Sequence, residues 1–364
     1  MRIFHFSSVV FGLLLAGAVP ALAQETPVNV VTTAVPFLSI NPDARSGGMG
    51  DLGIATSPDA QSSLFNLAKT PFTEARSGLG LNYTPWLANL APGMYMMDAA
   101  GYHRFDTNQA ISAAIRYFSL GDVAVINYAG TPLQTAHPHE YSAEMGYSRK
   151  LSDRLAVGIT FRYISSTLAT GNVNGTNYQT GTAFAGDLSL FYSGLNADGQ
   201  GLTAGAALTN LGTKIGYTND AGAKDYLPAS FGIGIAYTTV FDEDNRIQFG
   251  VDASKLLVPL APSDSTGLAQ YQNYSVPSSW GHSFSNSAYR FSIGAEYTFL
   301  KAFSVRGGYH FESAEAGNLH YLTGGLGLKY GGIGLNFAYI TPTGNGINQS
   351  PVSNTVKFGV SFDL

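Results

Sequence analysis

Residues 289–312 read YRFSIGAEYTFLKAFSVRGGYHFE, and their alternation decides the fold. Tyr289, Phe291, Ile293, Ala295, Tyr297 and Phe299 fall on one phase, while Arg290, Ser292, Gly294, Glu296 and Thr298 fall on the other. The pattern then restarts, with Phe303, Val305, Gly307, Tyr309 and Phe311 set against Ser304, Arg306, Gly308, His310 and Glu312. A period of two marks strands with one apolar face. The last residues repeat it: Val356, Phe358, Val360, Phe362 and Leu364 alternate with Lys357, Gly359, Ser361 and Asp363.

Extended outward, the same reading gives fourteen strands, near 76–86, 95–105, 109–118, 140–150, 154–165, 183–193, 201–211, 228–240, 245–256, 289–300, 302–312, 320–330, 332–341 and 353–364. Most have about the 9 to 11 residues that a tilted membrane strand needs, and an even count suits a bacterial barrel with both ends on one side. From the second strand onward the connections alternate. Asp106 to Asn108, Leu151 to Asp153, Asn196 to Gly199 and Phe241 to Asp244 are short, whereas Ser119 to His139, Ser166 to Thr182, Gly212 to Leu227 and Leu257 to Ala288 are long. Short periplasmic turns and long outer loops produce this rhythm.

Charge follows the same phases. The apolar phase carries only Arg149 and Lys255, both at strand ends, while the other phase carries Asp98, Arg104, Arg116, Glu144, Arg162, Asp187, Asp252, Arg290, Glu296, Arg306, Lys329 and Lys357. A Lys or Arg facing lipid at midplane costs ~2 to 4 kcal/mol, so the expected fold is all-β: a transmembrane antiparallel β-barrel of 14 strands with a lipid-facing exterior and a polar lumen. A soluble barrel would turn the faces the other way, but fourteen strands enclose an interior too wide for side chains to fill.

Composition agrees. Of 364 residues, 12% are charged and 45% hydrophobic, against roughly 25% charged in a soluble domain. Beyond the first two dozen residues no apolar run approaches the ~18 to 20 residues of a spanning helix. The formal charge of −5 shows no basic excess, which argues against a nucleic-acid partner. At the start, Arg2, the apolar Val9–Val19 and Ala21-Leu22-Ala23 have the form of a cleaved signal peptide over 1–23. The chain has no Cys, so an exported protein would form no disulfides. The expected division is signal peptide 1–23, N-terminal extension and lumenal hatch 24–75, and barrel 76–364.

Residues 36–75, PFLSINPDARSGGMGDLGIATSPDAQSSLFNLAKTPFTEA, break the strand pattern. A wide polar lumen needs water, loops or a plug, and this segment is the candidate hatch, with Asp43, Arg45, Gly47, Gly48, Met49, Gly50, Asp51 and Asn66 as its principal residues. The glycines allow tight turns against the wall. Gly48-Met49-Gly50-Asp51-Leu52-Gly53 matches a dinucleotide fingerprint in letters only, since Asn41-Pro42-Asp43 precedes it instead of a buried strand.

Lumenal charges Asp98, Arg116, Glu144, Arg162, Asp187, Arg290, Glu296 and Arg306 read as structural pairs. In the outer loops, Leu120 and Val123 make loop 119–139 unusually apolar, together with Val125, Ile126 and Tyr128, either as a contact surface or as an extension of the third strand above the membrane. Tyr271, Tyr274, Trp280 and Phe284 stand among Ser and Asn in the longest loop, a composition found at recognition surfaces and also in interfacial belts. His137 and His139 are too few ligands for a metal centre, and Asp242-Glu243-Asp244 lacks calcium-loop spacing. No nucleophile elbow or P-loop occurs, and no cofactor is expected.

Phe37-Leu38-Ser39-Ile40-Asn41-Pro42-Asp43-Ala44-Arg45, Gly48-Met49-Gly50-Asp51, Tyr83-Thr84-Pro85-Trp86, Arg149-Lys150-Leu151-Ser152-Asp153 and Phe161-Arg162-Tyr163-Ile164 resemble the PorV family, outer-membrane proteins of the type IX secretion system of Bacteroidota-type bacteria. That family is similar in turn to FadL-like long-chain fatty acid transporters, fourteen-stranded barrels with an N-terminal hatch. The Asn-Pro-Ala element common in those hatches stands here as Asn66-Leu67-Ala68. The resemblance implies a non-enzymatic protein of the outer membrane that binds the C-terminal signal domain of secreted cargo at a large translocon barrel. It then delivers that cargo to a sortase-like attachment complex. The alternatives are a FadL-like transporter of hydrophobic small molecules and a lipid-modifying enzyme, for which the sequence displays no Ser or His arrangement.

Overall fold

A computed structural model describes residues 29–86, 93–126, 132–173, 175–219, 224–343 and 354–364. The signal-peptide span and Tyr128 lie outside the described residues. Fourteen antiparallel strands close into one barrel: β1 (Ser77–Pro85), β2 (Met94–Arg104), β3 (Gln109–Leu120), β4 (His139–Lys150), β5 (Leu155–Thr167), β6 (Gly181–Ser193), β7 (Gly201–Gly212), β8 (Ser230–Val240), β9 (Arg246–Leu256), β10 (Tyr289–Phe299), β11 (Phe303–Glu312), β12 (His320–Tyr330), β13 (Ile333–Pro342) and β14 (Thr355–Asp363). Every strand expected from alternation is present. Each neighbour in sequence is a neighbour in space, and β14 closes on β1 with Leu81 opposite Val360. No described helix is long and apolar enough to cross a membrane; a closed barrel is the form in which strands can cross one.

The phases separate as the charges require. On β10, Ile293 is 56% exposed on the outer surface while Glu296 is 5% exposed within the lumen. Tyr83, Tyr95 and Tyr117 lie side by side on the exterior, with ring centroids 5.9 and 6.1 Å apart, near the strand ends that carry the long loops. Such a row is the aromatic girdle expected where lipid meets water. One irregularity interrupts the ladder. Between Gly186 and Leu188 the β6–β7 register shifts, and Asn210 adopts φ 57° with its N–H on Asp187 at 2.7 Å. This bulge carries an unpaired residue and brings the Asn210 side chain against the lumenal charges of β5 and β6.

Residues ahead of β1 run through the lumen from the long-loop end to the short-turn end. Val31 packs with Leu256, Ala288 and Ala316 at the outer ends of the wall, whereas Phe72 packs on Phe191 near the inner rim, centroids 5.4 Å apart. Between them lie a 3-10 turn Pro36–Ser39, helix α1 (Ala44–Gly47), and turns Ser62–Leu64 and Leu67–Phe72. Asp43 caps α1, accepting from Arg45 N and Ser46 N at 3.1 and 2.9 Å, and Asn66 caps the last turn through Ala68 N at 3.1 Å. Short capped turns suit a backbone whose remaining polar groups must find side-chain partners. The wall supplies them. Asp252 accepts from Gly53 N and Ile54 N at 2.8 and 2.9 Å, and Thr203 donates to Ala55 O at 2.7 Å.

The outer loops have structure of their own. A ribbon pairs Val123–Ile126 with Pro132–Ala136, and helices α2 (Ser265–Asn273) and α3 (Val276–His282) form in the longest loop.

Candidate functional site

Seven of the eight N-terminal residues singled out in the sequence lie within residues 43–51, while Asn66 stands against β6, donating to Leu190 O at 3.0 Å. Arg45 is central. Its guanidinium grips Glu296 of β10 with two hydrogen bonds of 2.7 and 3.0 Å, and also donates to Asp59 at 2.7 Å. Arg306 of β11 donates to the same Glu296 at 2.6 Å. One carboxylate is thus shared by a cation of the segment and a cation of the wall. Charged forks of this kind are short and strong.

A second fastening stands nearer the outer mouth. Lys357 of β14 donates to Asn41 O at 2.7 Å and reaches Asp51 at 3.4 Å, and the Tyr321 hydroxyl donates to Asp51. Burial opposes ionisation of Asp51, but Lys357 and His310 outweigh it and hold the carboxyl below its ordinary pKa. Within the segment, Lys69 donates to Gly53 O and Thr56 Oγ1 at 2.6 and 3.2 Å, clasping the loop between them. Burial pushes the Lys69 ammonium down to about 8.

Glycine permits the contact between segment and wall. A Cβ on Gly308 would lie 2.2 Å from the Met49 carbonyl carbon, and one on Gly294 would lie 2.4 Å from its oxygen. Here backbone packs directly on backbone. Gly50 has φ 71° and donates to Thr323 Oγ1 at 2.8 Å; of Gly47, Gly48, Gly50 and Gly53 it alone needs the left-handed region. A Cβ on Gly47 would meet the Lys357 side chain at 2.8 Å and oblige that side chain to shift, and Gly48 faces Gly325 Cα at 3.0 Å.

The lumenal charges sort into clusters. Arg162 joins Glu144 at 2.6 Å, Asp187 at 2.7 Å and Asn210 at 2.5 Å, all of them wall residues. Arg290 pairs with Glu312 at 2.8 Å. Arg116 reaches back to the segment, donating to Leu38 O and Leu64 O at 3.4 Å, beside Asp98, which is 5% exposed. Two cavities flank the segment. The outer one, about 500 Å³, is lined by Leu38, Trp86, Ile340, Arg290, His310 and Tyr321 among others; the inner one, about 280 Å³, opens among Arg45, Asp59, Arg246, Lys301 and Lys329.

The loop candidates divide between exposure and packing. Phe284 is 69% exposed and Val123 47%. Leu120 ends β3 and packs on the apolar cluster around Phe37 and Trp86. Tyr271 and Tyr274 instead face Tyr226, whose hydroxyl donates to their carbonyls at 2.9 and 3.1 Å, and Trp280 is half-buried on α3. His137 pairs with Asp122 and His139 stacks on Tyr117, so the two imidazoles do not converge. Gly48–Gly53 follows α1 with no βαβ unit around it. Sequence phase places Lys255 outward, but loop 257–288 folds over it: its ammonium donates to Asn286 O and Oδ1 at 2.8 and 3.0 Å and lies 4.5 Å from the Tyr289 ring. Asp59, Tyr226, Glu312 and Asn210 also escaped the sequence reading. Glu312 was visible on the lumenal phase at the end of its strand, whereas Asp59 and Tyr226 sit in irregular backbone that no period marks.

A closed fourteen-stranded barrel with a lipid-facing exterior and a segment inside it defines an outer-membrane β-barrel protein. Similar solved structures have that fold. The Ralstonia pickettii toluene transporter TbuX matches with TM-score 0.52 and 15% identity over 89% of this chain and 97% of its own. The Pseudomonas putida toluene transporter TodX matches with TM-score 0.55 and 12% identity over 87% and 96%. The monoaromatic hydrocarbon channel CymD matches with TM-score 0.54 and 14% identity over 92% and 97%. At these identities the likeness speaks for fold alone. No curated protein matches in sequence. The family model "Type IX secretion system protein PorV" matches residues 23–263, from before the lumenal segment to beyond β9, and the chain belongs to that family.

Proposed function

We propose that this protein is a non-enzymatic carrier in type IX secretion. It binds the C-terminal signal domain of cargo emerging from a large translocon barrel and delivers it to a sortase-like attachment complex on the cell surface. Export with cleavage after Ala23 brings it to the outer membrane, where lipid surrounds the wall and the segment ahead of β1 acts as a hatch. Membership of the PorV family carries this reading. Long outer loops with exposed Val123 and Phe284 support it, because aromatic and aliphatic groups on structured loops suit protein recognition. Deleting the gene in the native host should leave type IX cargo in the periplasm, and affinity purification from the outer membrane should recover a giant barrel or cargo. Normal cargo display in the deletion strain would refute the proposal.

The outer cavity favours a second reading, a transporter of hydrophobic small molecules. At about 500 Å³ it is within the range of small-molecule sites, and its walls mix apolar and charged groups. Purified barrel that neither binds nor passes fatty acids or aromatic hydrocarbons would dispose of this alternative.

A further inference from the structure

The segment inside the barrel is held very unequally along its length. Below Pro36 it is fastened by the Arg45, Asp51 and Lys357 contacts and by wall side chains on its backbone. Above Pro36, residues 29–35 cross the outer mouth and touch three different outer loops. Asn29 Nδ2 donates to Ala261 O at 2.7 Å, Val31 N to Glu315 O at 2.8 Å, and Ala34 N to Tyr226 O at 2.9 Å. Those loops are the connections β9–β10, β11–β12 and β7–β8. The Tyr226 hydroxyl in turn holds Tyr271 and Tyr274 of the α2 region, and Lys214 donates to Gln272 O at 2.7 Å.

The junction between the two parts is a backbone outlier. Val35 has φ 46° and ψ 53° and is 1% exposed. A β-branched side chain in the left-handed region is disfavoured by its own Cβ, and the residue before a proline is pushed toward extended backbone; Pro36 follows directly. Both preferences are violated at one buried residue, where the segment passes from charged fastenings to an end held by apolar packing of Val31 and Ala34 and by backbone bonds to the loops. Strain of this kind persists only where surrounding contacts impose it. Here the surroundings are the buried apolar cluster of Phe37, Trp86, Met96 and Phe118 that encloses Val35, together with the loop bonds of Asn29, Val31 and Ala34.

We propose that residues Asn29–Val35 form a sprung strap that ties the outer loops over the lumen. When a protein partner takes over the loop contacts around Tyr226, Tyr271 and Tyr274, the strap is released and Val35 relaxes to extended backbone. Partner engagement outside and uncovering of the outer cavity inside are then a single coupled event, and the coupling acts in both directions. The partner is taken to be the cargo signal domain, so the inference rests on the proposed function for that identity alone.

The chain contains no cysteine, so a single Val31→Cys in the full protein gives an unambiguous reporter. Val31 is 7% exposed beneath the strap contacts. Purified protein in nanodiscs is treated with a bulky maleimide, with and without the signal domain of a native cargo, in the Val35 and the Val35→Asn backgrounds. Folding of each variant is checked by heat-modifiable electrophoretic mobility, with Val35→Gly as the substitute if Val35→Asn does not fold. The strap predicts labelling accelerated about fivefold or more by bound signal domain. It also predicts slowing by about fivefold or more in Val35→Asn, because asparagine accepts the left-handed backbone and removes the spring. Unchanged labelling with a signal domain that demonstrably binds overturns the strap. If the domain does not bind, the carrier reading fails by itself, and labelling unchanged or faster in Val35→Asn then overturns the strap independently.

Discussion

Arg162 and Arg45 have nearly the same chemistry and opposite allegiances. Each is an arginine held by two carboxylates inside the lumen, yet every partner of Arg162 belongs to the wall, whereas Arg45 joins the segment to the wall through Glu296. The first brace ties four strands to one another. The second ties a separate piece of chain to the barrel. Identical ion pairs can therefore support the container or hold its contents, and only topology distinguishes the two.

The sharpest separation of those roles comes from removing each cation. Arg162→Met leaves Glu144 and Asp187 buried without compensation, and breaking such a site costs about 3–5 kcal/mol; the barrel should unfold at markedly lower denaturant, measured by heat-modifiable mobility. Arg45→Met should cost a similar or smaller amount, but locally. The barrel should remain folded while planar-bilayer conductance rises and residues 36–75 become sensitive to protease. Equal loss of barrel stability in both variants would erase the distinction. Gly50→Ala tests the backbone contact that accompanies Arg45, since its Cβ would stand 2.7 Å from Tyr309 N. It should loosen the segment by about 1–3 kcal/mol without lowering the barrel's unfolding midpoint.

Lys69 gives a smaller effect with a definite sign. Its folded pKa of about 8 lies below the ordinary lysine value of ~10.4, so between those values the folded state binds fewer protons than the unfolded one. Stability then rises with pH through that window. The segment's protection from protease should increase between pH 8 and about pH 10 in the native protein and less so in Lys69→Met. Least of all, Phe284→Ser on the exposed loop should change stability by no more than about 0.5 kcal/mol, while weakening retention of any partner that uses the surface.

Much of the wall was legible because lipid imposes a strict rule on one face of every strand. Alternation placed the strand ends close to their observed positions, and the same phases put Arg162, Glu144 and Asp187 in the lumen. Phase alone could not say which charges meet. The grip of Arg45 on Glu296 spans residues 251 apart, and nothing periodic connects an irregular segment to a strand. Lys255 shows the complementary limit. Its outward phase was read correctly, but its surroundings depend on a loop that folds back over the strand end. Tyr226 and Val35 were invisible for a third reason: one acts through its hydroxyl on distant carbonyls, and the other through a backbone angle that its side chain disfavours.

The position of the segment also constrains how the protein is built. Ser77 and Asp363 both stand at the inner rim, yet Val31 touches the outer loops, so the chain makes a lengthwise passage that belongs to no strand. A sheet that had already closed would have to admit that passage end-on, with Arg45, Met49 and Leu67 of the segment threading past the inward wall side chains Arg116, Glu296 and Arg306. The simpler order has the sheet curl around the segment, with β1 and β14 meeting last. The segment would then serve as the mandrel on which the cylinder is rolled, and its fit to Gly294 and Gly308 would help set the cylinder's bore.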